Sequence, residues 1–553
     1  MKNNKVIKKS PALYIFMLML WTTIIIFLWI EFIPNIINVP FITQENSKPV
    51  IVIAKILLTL NSIFISYFWL NGVKDFIYVI WYHLFKKKLE KQYLEVIKTD
   101  ISNVDDKVVM IYCTCNDFDG SSLLKSMQQN YKNVDTVILD DSSSEDYKKQ
   151  IDQFSAEHNI KVVRRENRIG FKAGNINNYL MSDDCKNNNY KFIVVLDSDE
   201  IIPNNYIEES LKYFYTYNNV GIVQANHIST RNRNLFMNLF HIGVNSHWPT
   251  YQTMKHYYGF STMLGHGAMI SRECYDIAGG FPNLVAEDLC LSIEARNHGF
   301  IVAFAPNIIC EEEYPIDYTA FKKRHSKWTQ GNLEFIKKYT KKITKSKMKW
   351  FEKMDIVLFT YNLPLTAIFA FYIFLNLIFI PLLNIDLSQV YKLWMTIPTI
   401  IFFFSPMLND FITWIFKLNP LKSIAYFFLV IILYGSMLTT SLISATLGMF
   451  GKKAKFIVTP KISEKITPWF AFKYQLKEFI FSTILLLISV FFCHSILPVI
   501  LIITTGYLSY FLLFLSNKKY SPEKINQIDK LTSNISLSIN KTFIETLKNK
   551  ESN

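Results

Sequence analysis

Hydrophobic and polar positions along this chain follow three patterns. Residues 12–33, 50–72, 356–383, 393–416, 423–449 and 478–516 are nearly unbroken apolar runs. A membrane crossing needs about 20 apolar residues, so each run is long enough. The last, broken near Pro498, suits a two-span hairpin. Residues 86–350 read differently, with short strand-like runs separated by polar, helix-compatible stretches. The runs are VVMIYCT (108–114), DTVILDD (135–141), IKVVRR (160–165), KFIVVLDSD (191–199) and VGIVQAN (220–226), with 120–130 and 145–157 among the helical spacers. That alternation predicts an α/β domain with a mostly parallel sheet and helices on both faces. It is long enough to bury a full core. The third pattern is amphipathic. In 345–355, Met348, Trp350, Phe351 and Met354 share one side. In 423–449, Gly435, Ser436, Thr439, Thr440 and Ser444 lie opposite Met437, Leu438 and Leu442, an interfacial or channel-lining pattern.

Charge sharpens this picture. The 553 residues carry a formal charge of +14, yet the basic excess collects at Lys86-Lys87-Lys88, Lys341-Lys342 and the Lys/Asn-rich tail 517–553. Basic clusters beside apolar runs fit anionic lipid, not nucleic acid. The basic start MKNNKVIKK precedes an apolar run longer than the roughly 7–15 residues of a signal peptide, and WIEFIPN offers no small-x-small cleavage site. It reads as an anchor with its basic end in the cytoplasm. The seven cysteines are scattered, with one C-x-C at Cys113 and Cys115, which fits a reducing compartment and no zinc motif.

Candidate chemistry sits where strands end. Asp117, Asp140-Asp141, then Asp197 and Asp199 each follow a strand run. Ligands bind at the carboxyl ends of strands in such sheets. In VVLDSDE (194–200) the D-x-D spacing puts Asp197 and Asp199 on one side of an extended chain. Hard carboxylate oxygens suit Mg2+ or Mn2+ shared with substrate phosphates. In NRIGFKAGN (167–175), Lys172 between Gly170 and Gly174 can approach a phosphate closely.

The ordered set DDS (140–142), RIGFKAGNIN (168–177) and DSD (197–199) resembles the inverting family-2 glycosyltransferases of GT-A fold. LGHGAMI (264–270) resembles their glycine-containing acceptor loop, and AEDLCLSIEARNHGF (286–300) their T-E-D helix. HSKWTQGNLEF (325–335) is similar to the segment carrying Q-x-x-R-W in processive members, and KFIVTPK (455–461) to the gating loop F-x-V-T-x-K of membrane-embedded cellulose synthases. The resemblance spans about residues 108–461. It implies a nucleotide-sugar donor and a divalent metal. Asp288 would be the catalytic base, with Glu287 in support. Asp140 or Asp141 would contact uridine, with Thr114 and Asp117 nearby; Lys172 would hold the diphosphate; Asp199 and Asp197 would take the metal. Trp328, His266 and Gln330 would meet the acceptor, and Phe456, Val458, Thr459 and Lys461 would form the gating loop. Departures are Ala286 for the threonine of T-E-D, and Arg324 and Lys327 for the glutamine and arginine of Q-x-x-R-W. Trp328 to Leu333 reads W-x-Q-G-N-L, as in membrane glucosyltransferases that build periplasmic glucans, which favours UDP-glucose.

The expected organisation is two N-terminal membrane helices (1–85), a cytosolic GT-A domain (86–343), a segment of interfacial and membrane helices with the gating loop (344–516), and a cytosolic tail (517–553). A gating loop at 455–461 can sense nucleotide only on the cytosolic side, so 423–449 should not span and six crossings remain. The expected function is a processive plasma-membrane β-glucan synthase. It would extend a polysaccharide acceptor from UDP-glucose, in contact with membrane lipid and with room for an export subunit. The alternatives are a poly-N-acetylglucosamine or hyaluronan-like synthase, single-sugar transfer to a membrane lipid, and a silent scaffold. The intact Lys172, Asp197, Asp199 and Asp288 oppose the last. No R-x-x-x-R pattern of a cyclic-dinucleotide module follows the last apolar run.

Overall fold

A computed structural model describes residues 5–43, 46–415, 417–451 and 464–531. The gating-loop positions Phe456, Val458, Thr459 and Lys461 lie outside the described residues.

The seven strands are β1 (Val108–Thr114), β2 (Val134–Asp140), β3 (Lys161–Val163), β4 (Phe192–Asp197), β5 (Val220–Ser229), β6 (Ala268–Ser271) and β7 (Ile301–Glu312). They form one sheet in the order β3-β2-β1-β4-β6-β5-β7, in which β6 alone runs antiparallel to its neighbours. Period-two alternation sorts the strand side chains into two cores. Met110, Tyr112, Ile138, Val194 and Leu196 face one layer of helices, and Val109, Ile111, Val137, Ile193 and Val195 the other. The five strands expected from sequence are present. β6 and β7 were not foreseen: β6 is four residues inside a glycine-rich loop, and β7 carries a bulge around Pro306 where its register with β5 shifts. Register aligns the strand ends, pairing Cys113 with Asp197 and Thr114 with Asp140. The acids therefore reach one edge together.

Helices Ala12–Ile37 and Lys48–Ile97 flank the domain. The second is 50 residues long and buries Tyr93 and Val96 in the domain core. Asp355, on helix Trp350–Thr360, is fully buried between them. It accepts hydrogen bonds from Tyr14, from Tyr78 (2.8 Å), from the Lys255 ammonium (2.9 Å) and from the Phe260 amide (2.7 Å). A buried carboxylate satisfied by four donors from separate elements fixes those elements against one another.

Among the described residues, seven helices are long and apolar enough to cross a membrane: Ala12–Ile37, Lys48–Leu89, Pro364–Leu382, Leu393–Trp414, Pro420–Met449, Pro468–Cys493 and Leu497–Asn517. Both flanks of the chain touch the α/β domain. The Asn218 amide donates to the Lys5 carbonyl (2.9 Å), the Leu235 amide to that of Lys518 (3.1 Å), and the Arg231 amide to Asp529 (2.8 Å). The C-terminal half of helix Pro420–Met449 packs against helix Tyr318–Lys345. Tyr318 meets Ser436 (2.8 Å), His325 meets Ser441 (2.6 Å), Ser326 meets Ser444 (2.7 Å), and the Lys337 ammonium reaches the Gly448 carbonyl (2.8 Å).

Candidate active site

Strand β4 ends at Asp197, and the Glu200 amide closes a turn onto the Asp197 carbonyl (3.2 Å). The extended D-x-D expected from sequence is thus a turn, but burial still alternates. Asp197 and Asp199 are half-buried, whereas Ser198 and Glu200 are buried. Asp197 pairs with the Lys172 ammonium, which also donates to the Gly265 carbonyl (2.7 Å). Burial alone would lower the Lys172 pKa; Asp197 overcomes this and keeps the lysine charged. Lys172 is presented by helix Phe171–Leu180, which starts after Gly170 in the left-handed region (φ +76°). A side chain at Gly174 would strike the Ile169 carbonyl at 1.9 Å, so this helix start requires glycine.

The Gly265 loop leads to Asp288. A methyl group at Gly265 would lie 3.5 Å from Asp288 Oδ2, so the carbonyl that takes Lys172 belongs to a residue beside Asp288. Asp288 and Glu287 open helix Glu287–Asn297, whose N-cap Ala286 has no capping side chain. Asp288 Oδ1 instead accepts the Leu289 amide (2.7 Å). Burial raises the pKa of both acids, and the charge of Asp288 raises Glu287 further, to about 8. Lys327 faces the same charges. Burial and then Arg324 lower its pKa, and Glu287 and Asp197 raise it. Sequence reading treated Lys327 as a departure from a motif arginine; the structure places its ammonium within the field of the site's acids.

The predicted nucleotide residues are mutually engaged. Asp117 accepts from Thr114 (3.1 Å), the Cys115 amide (2.7 Å) and Ser198 (2.7 Å), which laces the ends of β1 and β4. Asp140, with a fully covered carboxylate, accepts from Arg164 (2.6 Å). Asp141 is held by both Nε (2.8 Å) and Nη2 (2.6 Å) of Arg165. Arg165 also donates to the Ile169 and Phe171 carbonyls (2.7 Å each), joining the aspartates to the Lys172 loop. The two arginines were legible only as the end of the run IKVVRR.

Trp328, 43% exposed, projects from helix Tyr318–Lys345 with the Arg324 guanidinium 4.2 Å over its ring. Gln330 on the same helix is half-buried. His266 turns into the domain, between Glu200 (3.3 Å) and Glu312 (3.4 Å), and stacks on His227 with ring centroids 4.6 Å apart. Burial opposes its charge, but Glu200 raises its pKa to about 10; burial likewise opposes ionisation of Glu200, and His266 brings that pKa down to about 2.

Asp197, Asp199 and Lys172 thus lie at one sheet edge with the buried pair Glu287 and Asp288 beside them, and Trp328 is exposed on the adjoining helix Tyr318–Lys345. A family model described as "Glycosyl transferase family group 2" matches residues 192–443, which hold Asp197, Asp288 and Trp328. Two Arabidopsis thaliana proteins, probable glucomannan 4-beta-mannosyltransferases 10 and 11, are each 25% identical to this chain over 220 and 228 residues, or 38% and 40% of its length. The chain spans 39% and 50% of the length of those relatives. Among solved structures, a mannosyltransferase from Pyrobaculum calidifontis in complex with GDP-Man and Mn2+ matches with a TM-score of 0.39 and 14% identity, over 70% of this chain and 100% of that one. S. aureus TarS 1-349 in complex with UDP-GlcNAc gives 0.31 and 14%, over 55% and 88%. The sheet, mostly parallel with one reversed strand, is of the α/β kind that the strand pattern of the sequence implies.

Proposed function

We propose that the chain is an inverting glycosyltransferase that extends a β-linked hexose polymer from a nucleotide-diphosphate sugar. The observation that carries this reading is the Gly265 loop, which links the diphosphate side, through Lys172, to the base Asp288. The donor acids fit a divalent metal: Asp197 and Asp199 are hard oxygen donors, half-exposed on one turn. Asp199 would be the principal ligand with Asp197 beside it, and Mg2+ or Mn2+ there would offset charge on the departing nucleotide diphosphate. Lys172 and Lys327 add positive charge on the same side. Asp288 removes the proton of the acceptor hydroxyl as that oxygen attacks the anomeric carbon, and Glu287 keeps the shared proton of the pair. One displacement inverts the centre, so an α-linked donor gives a β-linked product. Trp328, its face already suited to a cation, offers a platform for the acceptor ring.

The membrane arrangement supports export. Residues beside both flanks contact the α/β domain, so an even number of crossings separates domain from either end. Five candidate helices follow the domain, so one of them does not cross. Helix Pro420–Met449 is the one: its C-terminal half lies along helix Tyr318–Lys345, and its two ends meet helix Leu235–Tyr258 through Tyr426 at Gly243 and helix Tyr318–Lys345 through Gly448 at Leu333. Six crossings around the acceptor side make a path for a growing chain through the membrane, with the catalytic domain in the cytosol.

Two donors stand first. The W-x-Q-G-N-L stretch favours UDP-glucose and a β-glucan. The names of the Arabidopsis relatives favour a mannosyl donor and a β-mannan. Nucleotide release from UDP-glucose, GDP-mannose and UDP-N-acetylglucosamine, each with Mg2+ or Mn2+, followed by glucanase or mannanase digestion of the product, separates them. Polymer from one donor identifies it; a sugar on lipid alone overturns polymerisation, and no release from any donor in reconstituted lipid overturns the enzyme reading.

A further inference from the structure

The third carboxylate of VVLDSDE does not join the donor site. Glu200 is 0% exposed, and its two oxygens have different surroundings. Oε2 accepts the Gly267 amide (2.9 Å) and faces His266 Nδ1 (3.3 Å). Oε1 has no hydrogen-bond partner, although His227 Nε2 stands 3.3 Å away. His227 is 1% exposed, and neither of its ring nitrogens has a hydrogen-bond partner. Unsatisfied buried polar atoms are costly, so Glu200 Oε1 and His227 Nε2, orphans that face each other, ask for a ligand. Cys310, fully buried, completes the group. It pairs in register with His227 across β5 and β7, so the two side chains share one sheet face. One ligand atom each from Glu200, His227 and Cys310 lies within 4.8 Å of the others.

We propose that Glu200, His227 and Cys310 hold a divalent transition-metal ion of the zinc class, distinct from the metal of the donor site. Cysteine sulfur with imidazole nitrogen selects zinc-class ions, whereas the all-oxygen pair Asp197 and Asp199 selects Mg2+ or Mn2+. The outer groups are those a metal-bound carboxylate uses. The Gly267 amide and His266 hold Oε2, so Oε1 is the ligand atom, and His266 in turn faces Glu312 (3.4 Å). The backbone has yielded room for it: a side chain at Gly267 would lie 2.3 Å from His227 Nε2 and 2.4 Å from Glu200 Oε1. On binding, the Cys310 thiol releases its proton to solvent and His227 ligates as neutral imidazole.

The position gives the ion a structural task. Glu200 directly follows Asp199, and Cys310 lies three residues before Glu313, whose amide donates to Asp199 Oδ2 (3.3 Å). An ion here clamps β5 and β7 to the turn that carries the donor acids. The proposal rests on the buried cluster and not on the glycosyl-transfer reading.

The test is metal content of the full chain, purified in detergent without chelator, followed by chelation and titration with Co2+ and no sugar donor present. The expected result is about one tightly held zinc-class ion per chain, replaced by Co2+ with a thiolate-to-cobalt charge-transfer band. Cys310→Ser should remove that band, and Asp199→Asn should keep it. A folded chain with neither bound zinc-class ion nor cobalt band overturns the site, as does a band that survives in C310S or vanishes in folded D199N. The wild-type stoichiometry decides alone if a variant does not fold.

Discussion

Asp288 and Glu287 share a buried helix start, and burial, joined at Glu287 by the charge of Asp288, sets the pH dependence. A general base works only when deprotonated. Raised pKa values keep the pair protonated to higher pH, so kcat/KM should climb with pH above the usual carboxylate range. Glu287 keeps its proton up to about pH 8, so Glu287→Gln replaces one neutral group by another and should leave that rise where it is; a pH–rate profile of the variant checks it, and a limb displaced to lower pH would count against Glu287 as the holder of the proton. At Gly267 the outcome is structural. Gly267→Ala forces a methyl group to 2.3 Å from His227 Nε2 in a left-handed backbone (φ +59°). Overpacking of this kind costs about 1–3 kcal/mol, read as a lower melting temperature.

Among elements, the Arg165 bridge couples β2 to the Lys172 loop. Arg165→Gln strands Asp141, whose side chain is 7% exposed, and frees the Ile169 and Phe171 carbonyls. Breaking a buried pair from one side costs about 3–5 kcal/mol. The expected signature is a large rise in KM for the donor with a smaller change in kcat, measured by donor titration. The same element shows what sequence could and could not reveal. Five strands and the acids at their ends were legible because period-two runs end abruptly in charge, whereas Lys172 stood out by its flanking glycines and Asp288 only by the family resemblance. The partners of Asp140 and Asp141 were not legible, because an arginine at the end of the neighbouring strand β3 leaves no periodic trace. β7 was hidden by the bulge around Pro306, and the inward turn of His266 by a loop whose glycines permit either direction. Glu200 read as one more acid of a cluster; only burial separates it from Asp197 and Asp199.

For the whole molecule, the arrangement of helices decides how a product could leave. If helix Pro420–Met449 lies along the membrane face beside helix Tyr318–Lys345, Lys422→Cys and Met449→Cys react with an impermeant thiol reagent from one side only, the side of the catalytic domain. Labelling from opposite sides would make it a crossing and break the six-span account. The sequence indicated this from its small and polar positions, and the contacts of Ser436, Ser441, Ser444 and Gly448 with the neighbouring helix give that pattern its physical reason. The central claim is that one pocket couples a metal-held donor to Asp288. The measurement that tests it most directly is nucleotide release by the purified full chain with its donor, with and without Mg2+ or Mn2+, for wild type and Asp288→Asn. The account predicts metal-dependent release that falls by about 10²–10⁴-fold in the variant while donor still binds. Release that is independent of metal, or undiminished in Asp288→Asn, would contradict it.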